Sequence, residues 1–299
     1  MNYYHSFDEA VRELLNGRTP ILSPVSGGDI NKAYRLDVPG KTVFVKANRE
    51  EDVRFFDAEA RGLGAIAKTS AIGTPEVLGI GTDTVYGAFL LLEWVEGRPG
   101  KYFFETFGHR LAAMHLADAS SFVPGGTFGF EADNYIGAGE QENTPESSWI
   151  TFFRDHRLIP QLRKAEGYFD PTDRRKLTYL LDHLDKYLLE PAFPSLLHGD
   201  LWSGNYITGS DGEAWLIDPA VSVGHFEADL AMTELFGGFP QSFYCAYNEL
   251  NPIDQGYRER REFYNLYHLL NHLNLFGVSY LGAVRRILRQ YTQGNKLAK

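Results

Sequence analysis

The stretch Leu197-His198-Gly199-Asp200-Leu201-Trp202-Ser203-Gly204-Asn205, followed by Leu216-Ile217-Asp218-Pro219, constrains this chain more than any other. Apolar runs flank polar turns on both sides, and Gly209-Ser210-Asp211-Gly212 lies between them, so Leu196 to Ile217 reads as strand-like pieces around a hairpin. Turn chemistry accounts for Gly209 to Gly212, since Gly, Asp and Ser favour turns. It does not account for a His-Gly-Asp at a strand end, with an Asn on the same loop and a second Asp on the paired strand. Two carboxylates and an amide brought to one place call for a chemical reason.

Around that hairpin the chain divides by pattern. Leu22–Val25, Ala33–Leu36 and Thr42–Lys46 are short runs separated by Gly, Asp and Pro, as strands are. Residues 51–68 switch to a helical period, with Val53, Phe56, Ala60, Leu63 and Ala67 on one stripe. Val85–Val95 is a continuous apolar run preceded by Gly79 and Gly81 and followed by Glu-Gly-Arg-Pro-Gly, which fits a buried strand entering a linker. After Pro99 helical spacing dominates, in Phe104–Ala117, Arg174–Leu189, Phe226–Phe236 and Arg258–Phe276. Residues 124–147, rich in Gly, Asn and Glu, read as a long polar loop. The expected fold class is α+β and bilobal: a β-rich N-terminal nucleotide-binding lobe over residues 1–95 with one key helix, then a mostly helical lobe over 96–299 that carries catalysis and substrate binding.

Composition excludes several alternatives. The 299 residues, 43% hydrophobic and 23% charged, suffice for sizeable cores. A formal net charge of −10 argues against a nucleic-acid partner, which needs clustered Lys and Arg. Cys245 is the single cysteine, so no intramolecular disulfide can form, which fits a reducing compartment. Lying within Phe243-Tyr244-Cys245-Ala246-Tyr247, it is expected to be a packed small hydrophobe. The N-terminus is acidic and amphipathic, unlike a signal peptide. The most apolar late stretch, Leu266 to Val284, holds two His and two Asn and is no membrane span. A soluble, cytoplasmic protein with no membrane partner is expected.

The His198–Asn205 segment with Asp218 downstream matches the kinase catalytic loop H-x-D-x-x-x-x-N and its separate metal-binding Asp. Phosphoryl transfer needs a carboxylate beside the attacking hydroxyl, and oxygen ligands that hold Mg²⁺ against the phosphates of ATP. Asp200 is the candidate catalytic base, and Asn205 and Asp218 are the candidate metal ligands. Lys46, ending Thr42-Val43-Phe44-Val45-Lys46, resembles the strand lysine that contacts the α/β phosphates. Glu59 projects from the apolar stripe of the next helix, and a carboxylate there needs a cationic partner, for which Lys46 is the nearest candidate. Gly27 and Gly28 sit between two strands upstream of Lys46, where a phosphate cover built of backbone N–H groups belongs, although two glycines can equally form a plain turn. Glu93 to Val95 closes the buried strand where adenine would meet backbone groups.

Other polar residues read differently. His115 lies on a helix stripe and is expected to be packed. His268 and His272 have the i,i+4 spacing of a metal pair but no third ligand in frame. Asp229 is expected to cap or brace the catalytic loop. The stretch from Asp218 to the helix near Phe226 is too short for a protein kinase's activation segment, and Pro219-Ala220 replaces Phe-Gly. Catalysis is therefore expected to be constitutive, on a small acceptor rather than a docked peptide.

With these residues, the chain resembles the fructosamine (ketosamine) kinases, within the aminoglycoside/choline kinase branch of the protein-kinase-like fold. Gly27-Gly28-Asp29-Ile30-Asn31 is similar to that family's nucleotide loop and Leu197–Asn205 to its catalytic loop. Phe128-Gly129-Phe130, Asn134-Tyr135-Ile136-Gly137, Trp149, Phe152-Phe153 and Arg157 are similar to its central segment. Asp229–Phe239 and Tyr267–His272 resemble its C-terminal signatures. The resemblance implies ATP-dependent phosphorylation of the sugar 3-hydroxyl of ketosamines, small or protein-bound, which regenerates the amine. Trp202 has two readings, a core anchor between the loop and the helical lobe and a wall of the sugar site; the wall is the expected one, because an indole can meet both an apolar sugar face and a cationic amine. Rival readings are a kinase of another small alcohol, such as an aminoglycoside, choline or methylthioribose, and a non-catalytic nucleotide-binding module.

Overall fold

Alternation and stripe periodicity build the first part of the molecule. A computed structural model of the chain describes residues 2–15, 21–25, 32–38, 40–48, 53–85 and 87–292. Six strands, β1 (Tyr3–Tyr4), β2 (Ile21–Val25), β3 (Lys32–Val38), β4 (Lys41–Asn48), β5 (Val77–Asp83) and β6 (Gly87–Glu93), form one sheet in the order β1-β5-β6-β4-β3-β2. All pairs are antiparallel except β1 with β5. Side chains alternate along β4: Val43, Val45 and Ala47 are buried on one face, and Phe44 and Lys46 stand on the other. The first face packs against helix α1 (Phe7–Leu15) through Phe7, Ala10 and Val11. The second receives helix α2 (Val53–Lys68) through Phe56, Ala60 and Leu63, which meet Leu90 and Leu92. Near the end of α2 the buried stripe continues through Ile66, and Ala67 is turned outward, contrary to the sequence reading.

The rest of the chain is mainly helical, and its helices enclose the central hairpin. Helix α3 (Phe103–Leu116) packs closely on α8 (Gln241–Leu250). Helix α7 (Glu227–Leu235) packs on the long α9 (Tyr257–Phe276), and α6 (Pro171–Leu181) on α10 (Leu281–Thr292). Between α3 and α6 lie two short helices, α4 (Trp149–Phe153) and α5 (Ile159–Lys164), joined by a π-helical turn. One core surrounds Trp149, Phe152, Phe263 and Tyr264, and a second surrounds Phe107, Leu111, Phe243 and Tyr247. The expected α+β class, sheet first and helices after, is what the molecule shows.

Three further expectations need correction. Residues 124–147 are not a free polar loop: they form the hairpin β7 (Asn134–Ile136) and β8 (Gly139–Gln141), with Phe128 bridged to Glu146 and Gly129 to Val223. Their polar side chains turn inward to satisfy one another, which composition does not reveal. Cys245 is exposed, because the helical period of α8 buries Phe243, Ala246 and Tyr247 and leaves residue 245 on the outer face. The expected helix at Arg174–Leu189 begins earlier, where Asp170 caps it in a reciprocal box with Asp173, and ends at Leu181.

Candidate active site

Lys46 reaches its partners because β4 places it on the sheet face that α2 covers. Its Nζ donates to Glu59 Oε1 at 2.7 Å, and it also contacts the Asp218 carboxylate. Both Glu59 and Lys46 are largely shielded from solvent. Burial works against the Lys46 charge, but Glu59 and Asp218 outweigh it and raise the amine above its ordinary range. Burial pushes the Glu59 carboxyl up against the pull of Lys46. Asp218 is driven the other way: burial again opposes its charge, and Lys46 holds the carboxyl below the usual range.

The catalytic-type loop hangs between two short ladders. Strand β9 (Ser195–Leu197) pairs with β12 (Ser222–Gly224), and β10 (Tyr206–Thr208) pairs with β11 (Ala214–Leu216). Asp229, at the start of α7, accepts from the backbone N–H of His198 at 2.7 Å and of Gly199 at 2.8 Å. His115 Nε2 lies 3.1 Å from the same carboxylate, and its Nδ1 lies 2.8 Å from the Tyr247 hydroxyl. The sequence expectations of a brace at Asp229 and a packed His115 describe this arrangement. His198 Nδ1 accepts from the Asp200 N–H at 3.2 Å, so Nε2 carries the proton and donates to Ile217 O at 2.9 Å. Gly199 has φ +83°, and a Cβ there would fall 2.0 Å from Ala220 O, so only glycine fits. Asp218 itself sits at φ 54°, a region few non-glycine residues occupy.

Asp200 and Asn205 are joined across the loop. Asn205 Nδ2 donates to Asp200 O at 2.7 Å and to Asp200 Oδ2 at 3.1 Å. Burial pushes the Asp200 carboxyl up to about 7; the Asn205 bond pulls against this, and the charges of Asp218 and Asp229 add to it. A carboxylate held near neutrality in a cleft is suited to exchanging a proton with a hydroxyl.

Lys46, Glu59, Asp200, Asn205 and Asp218 all line one cavity of about 670 Å³ between the sheet and the helices. Glu93 and Val95 line it from the sheet, and Trp202 lines it from the His198–Asn205 loop. Glu93 Oε2 accepts from the Glu76 N–H at 3.2 Å, and the N–H groups of Glu93 and Trp94 donate to Glu76 O at 2.9 Å and Thr42 O at 3.3 Å, so this end of β6 is tied to its neighbours. Gly27 and Gly28 lie outside the described residues; Val25, ending β2, lines the cavity. Trp202 is 38% exposed, with its edge toward Phe236 at 6.5 Å between centroids. Sequence reasoning missed several other lining residues: Phe55 on α2, Asn134 and Tyr135 on β7, and His272 and Phe276 on α9. The i,i+4 spacing of His272 and Phe276 was a usable signal. His268 is buried, its Nδ1 has no partner among the described residues, and its carbonyl accepts from His272 Nδ1.

Comparison with known proteins accords with this geometry. The family model described as fructosamine kinase matches residues 13–294. The probable ketoamine kinase of Synechocystis sp. is 43% identical over 272 residues, covering 89% of this chain and 88% of that protein. The chloroplastic protein-ribulosamine 3-kinase of Arabidopsis thaliana is 37% identical, covering 90% of this chain and 82% of that one. A solved structure from Thermobifida fusca, described as a candidate fructosamine-3-kinase, superposes with a TM-score of 0.81 at 37% identity, covering 95% and 97% of the two chains. An aminoglycoside phosphotransferase at 16% identity superposes with a TM-score of 0.67, which shows the shared fold alone. A cleft that brings Lys46, Asp200, Asn205 and Asp218 together, on a chain matched almost end to end, makes this protein a member of the fructosamine kinase family.

Proposed function

We propose that the chain transfers the γ-phosphoryl group of ATP to the sugar 3-hydroxyl of ketosamines. The observation that carries this reading is the convergence of Lys46, Asp200, Asn205 and Asp218 on one cavity, in a chain of this family. The cavity has two ends. Val25, Phe44, Leu92 and Ile217 make an apolar slot for adenine, beside the main chain of Glu93 to Val95. Trp202, Tyr135 and His272 surround the other end, where the sugar would lie.

Asp200 is the base. Its carboxylate orients the acceptor hydroxyl and takes its proton as the phosphoryl group arrives, while the Asn205 amide fixes its rotamer. Lys46 places a positive charge on the ATP phosphates, and Glu59 holds that ammonium in place. The residues also fit Mg²⁺, which takes one or two carboxylates and completes its shell with phosphate and water oxygens. Among the described residues no group of three His, Cys, Asp or Glu could hold a metal alone. Asp218, already drawn to the ammonium of Lys46, is an anionic oxygen donor, and the Asn205 amide, its Nδ2 spent on Asp200, keeps Oδ1 for a cation. Bound Mg²⁺ would neutralise the charge that develops on the phosphates.

The two-lobe division near residue 95 belongs to the same reading, with nucleotide held by the sheet and acceptor by the helical part. The test is a screen of ATP-dependent phosphorylation across ketosamines, aminoglycosides and amino alcohols. Ketosamines are expected to give the highest kcat/KM, with phosphate on the 3-oxygen by NMR. Turnover of aminoglycosides or choline alone would overturn the substrate assignment, and no ATP turnover with any acceptor would overturn the enzyme.

A further inference from the structure

A hairpin far from Asp218 in sequence grips the backbone that follows it. Ala220 O and Val221 O, just past Asp218, are the two carbonyls concerned. Gln141 Nε2 donates to Ala220 O at 3.1 Å, and Asn134 Nδ2 donates to Val221 O at 2.7 Å. The two amides are tied to each other, Gln141 Nε2 to Asn134 Oδ1 at 2.8 Å, and Asn143 Nδ2 reaches the same oxygen at 2.9 Å. Behind them, the Tyr267 hydroxyl donates to Gln141 Oε1 at 2.6 Å, and Arg157 Nη2 donates to Asn143 Oδ1 at 2.7 Å. Asn134, Gln141, Asn143 and Arg157 are all buried.

This network is costly. Burial drives the Arg157 guanidinium down to about 10, and among the described residues no carboxylate forms an ion pair with it. Three buried amides and a buried arginine are tolerated only when each finds a partner, and a satisfied network then holds one geometry in preference to others. The geometry held here is the unusual one: Asp218 at φ 54°, Ala220 N bonded to His198 O at 2.8 Å, and Ala220 O filling the space a Gly199 side chain would need. The hairpin also touches α2, where the Tyr135 and Phe55 rings lie 5.2 Å apart. Asp218, the catalytic-type loop and the helix that carries Glu59 therefore share one support.

We propose that Gln141, with Asn134 and Tyr267, is a positioning residue: it fixes the backbone after Asp218 so that this carboxylate is permanently set for the metal and nucleotide. The short Asp218–Phe226 stretch then needs no ordering event, because the β7–β8 hairpin supplies the order. This inference rests on the proposed role of Asp218, so Asp218→Ala serves as the control.

The test measures Mn²⁺ affinity by electron paramagnetic resonance in the presence of a non-hydrolysable ATP analogue, alongside kcat and both KM values. Gln141→Met keeps the volume and removes both the donor and the acceptor; Tyr267→Phe removes only the hydroxyl behind Gln141. Mn²⁺ affinity and kcat should fall together, about tenfold or more for Gln141→Met and less for Tyr267→Phe, with the ketosamine KM within about twofold. Tyr267→Phe keeps its ring packing, so it remains informative if Gln141→Met fails to fold. Unchanged Mn²⁺ affinity and kcat in a folded variant, with only the melting temperature lowered, would overturn the positioning role. Unchanged Mn²⁺ affinity in Asp218→Ala would instead overturn the reading of Asp218 itself.

Discussion

Asp200 carries a testable electrostatic signature. Its carboxyl is raised by burial to about 7, against an ordinary value of 3.8. Folding therefore favours the neutral form: that stabilisation is complete below about pH 4 and is lost as pH rises through 7. Asparagine at this position never ionises, so the melting temperature of Asp200→Asn should gain on the wild type between pH 4 and pH 8. A gap that stays constant over that window would show that the carboxylate is not held neutral by its surroundings. Turnover has the opposite dependence, since Asp200 as the proposed base must be ionised, and kcat/KM should decline as pH falls below about 7. Trp202, 38% exposed at the cavity end, offers a second residue-scale test. Trp202→Ala should raise the ketosamine KM and lower kcat, each by roughly tenfold, with ATP KM and melting temperature nearly unchanged. A large loss of thermal stability with preserved ketosamine kinetics would make the indole a packing anchor.

Between elements, the pairing of β4 with α2 decides where the Lys46 ammonium sits. Glu59→Gln preserves shape but leaves Asp218 as the carboxylate that holds Lys46. The ammonium is then drawn toward Asp218, the proposed metal ligand, and kcat/KM for ATP should fall by about 10- to 100-fold. An unaltered value would remove Glu59 from the site. Both residues were legible in the sequence because each obeys a simple period: Lys46 alternates with Val45 and Ala47, and Glu59 rides the stripe of Phe56 and Leu63. The His198–Asn205 loop was legible for its spacing, and the brace at Asp229 for its place at a helix start. The β7–β8 hairpin was not. Asn134, Gln141 and Asn143 are ordinary surface residues by composition, and only tertiary contacts show that their amides are spent on Ala220 and Val221. Cys245 was misread for the complementary reason: aromatic neighbours in sequence share its helix, not its face.

Across the whole molecule, the order of sheet and helices was readable from the change of period near Pro99, whereas the helix-to-helix packing was not, because stripes do not name their partners. The cleft between sheet and helices is where nucleotide binding should be felt globally. Mg²⁺–ATP at about a hundred times its Kd should stabilise the fold by about 2.7 kcal/mol, seen as a rise of several degrees in melting temperature. Asp218→Ala should abolish that rise, and a variant that kept it would place the metal elsewhere. The most direct test of the phosphoryl-transfer site pairs steady-state kinetics of Asp200→Asn on a ketosamine with calorimetric titration of Mg²⁺–ATP. The expected result is a kcat lowered by about 10²- to 10⁴-fold, with ATP affinity within about threefold of the wild type. Preserved turnover, or parallel loss of turnover and ATP binding in a folded protein, would contradict Asp200 as the base that faces the acceptor.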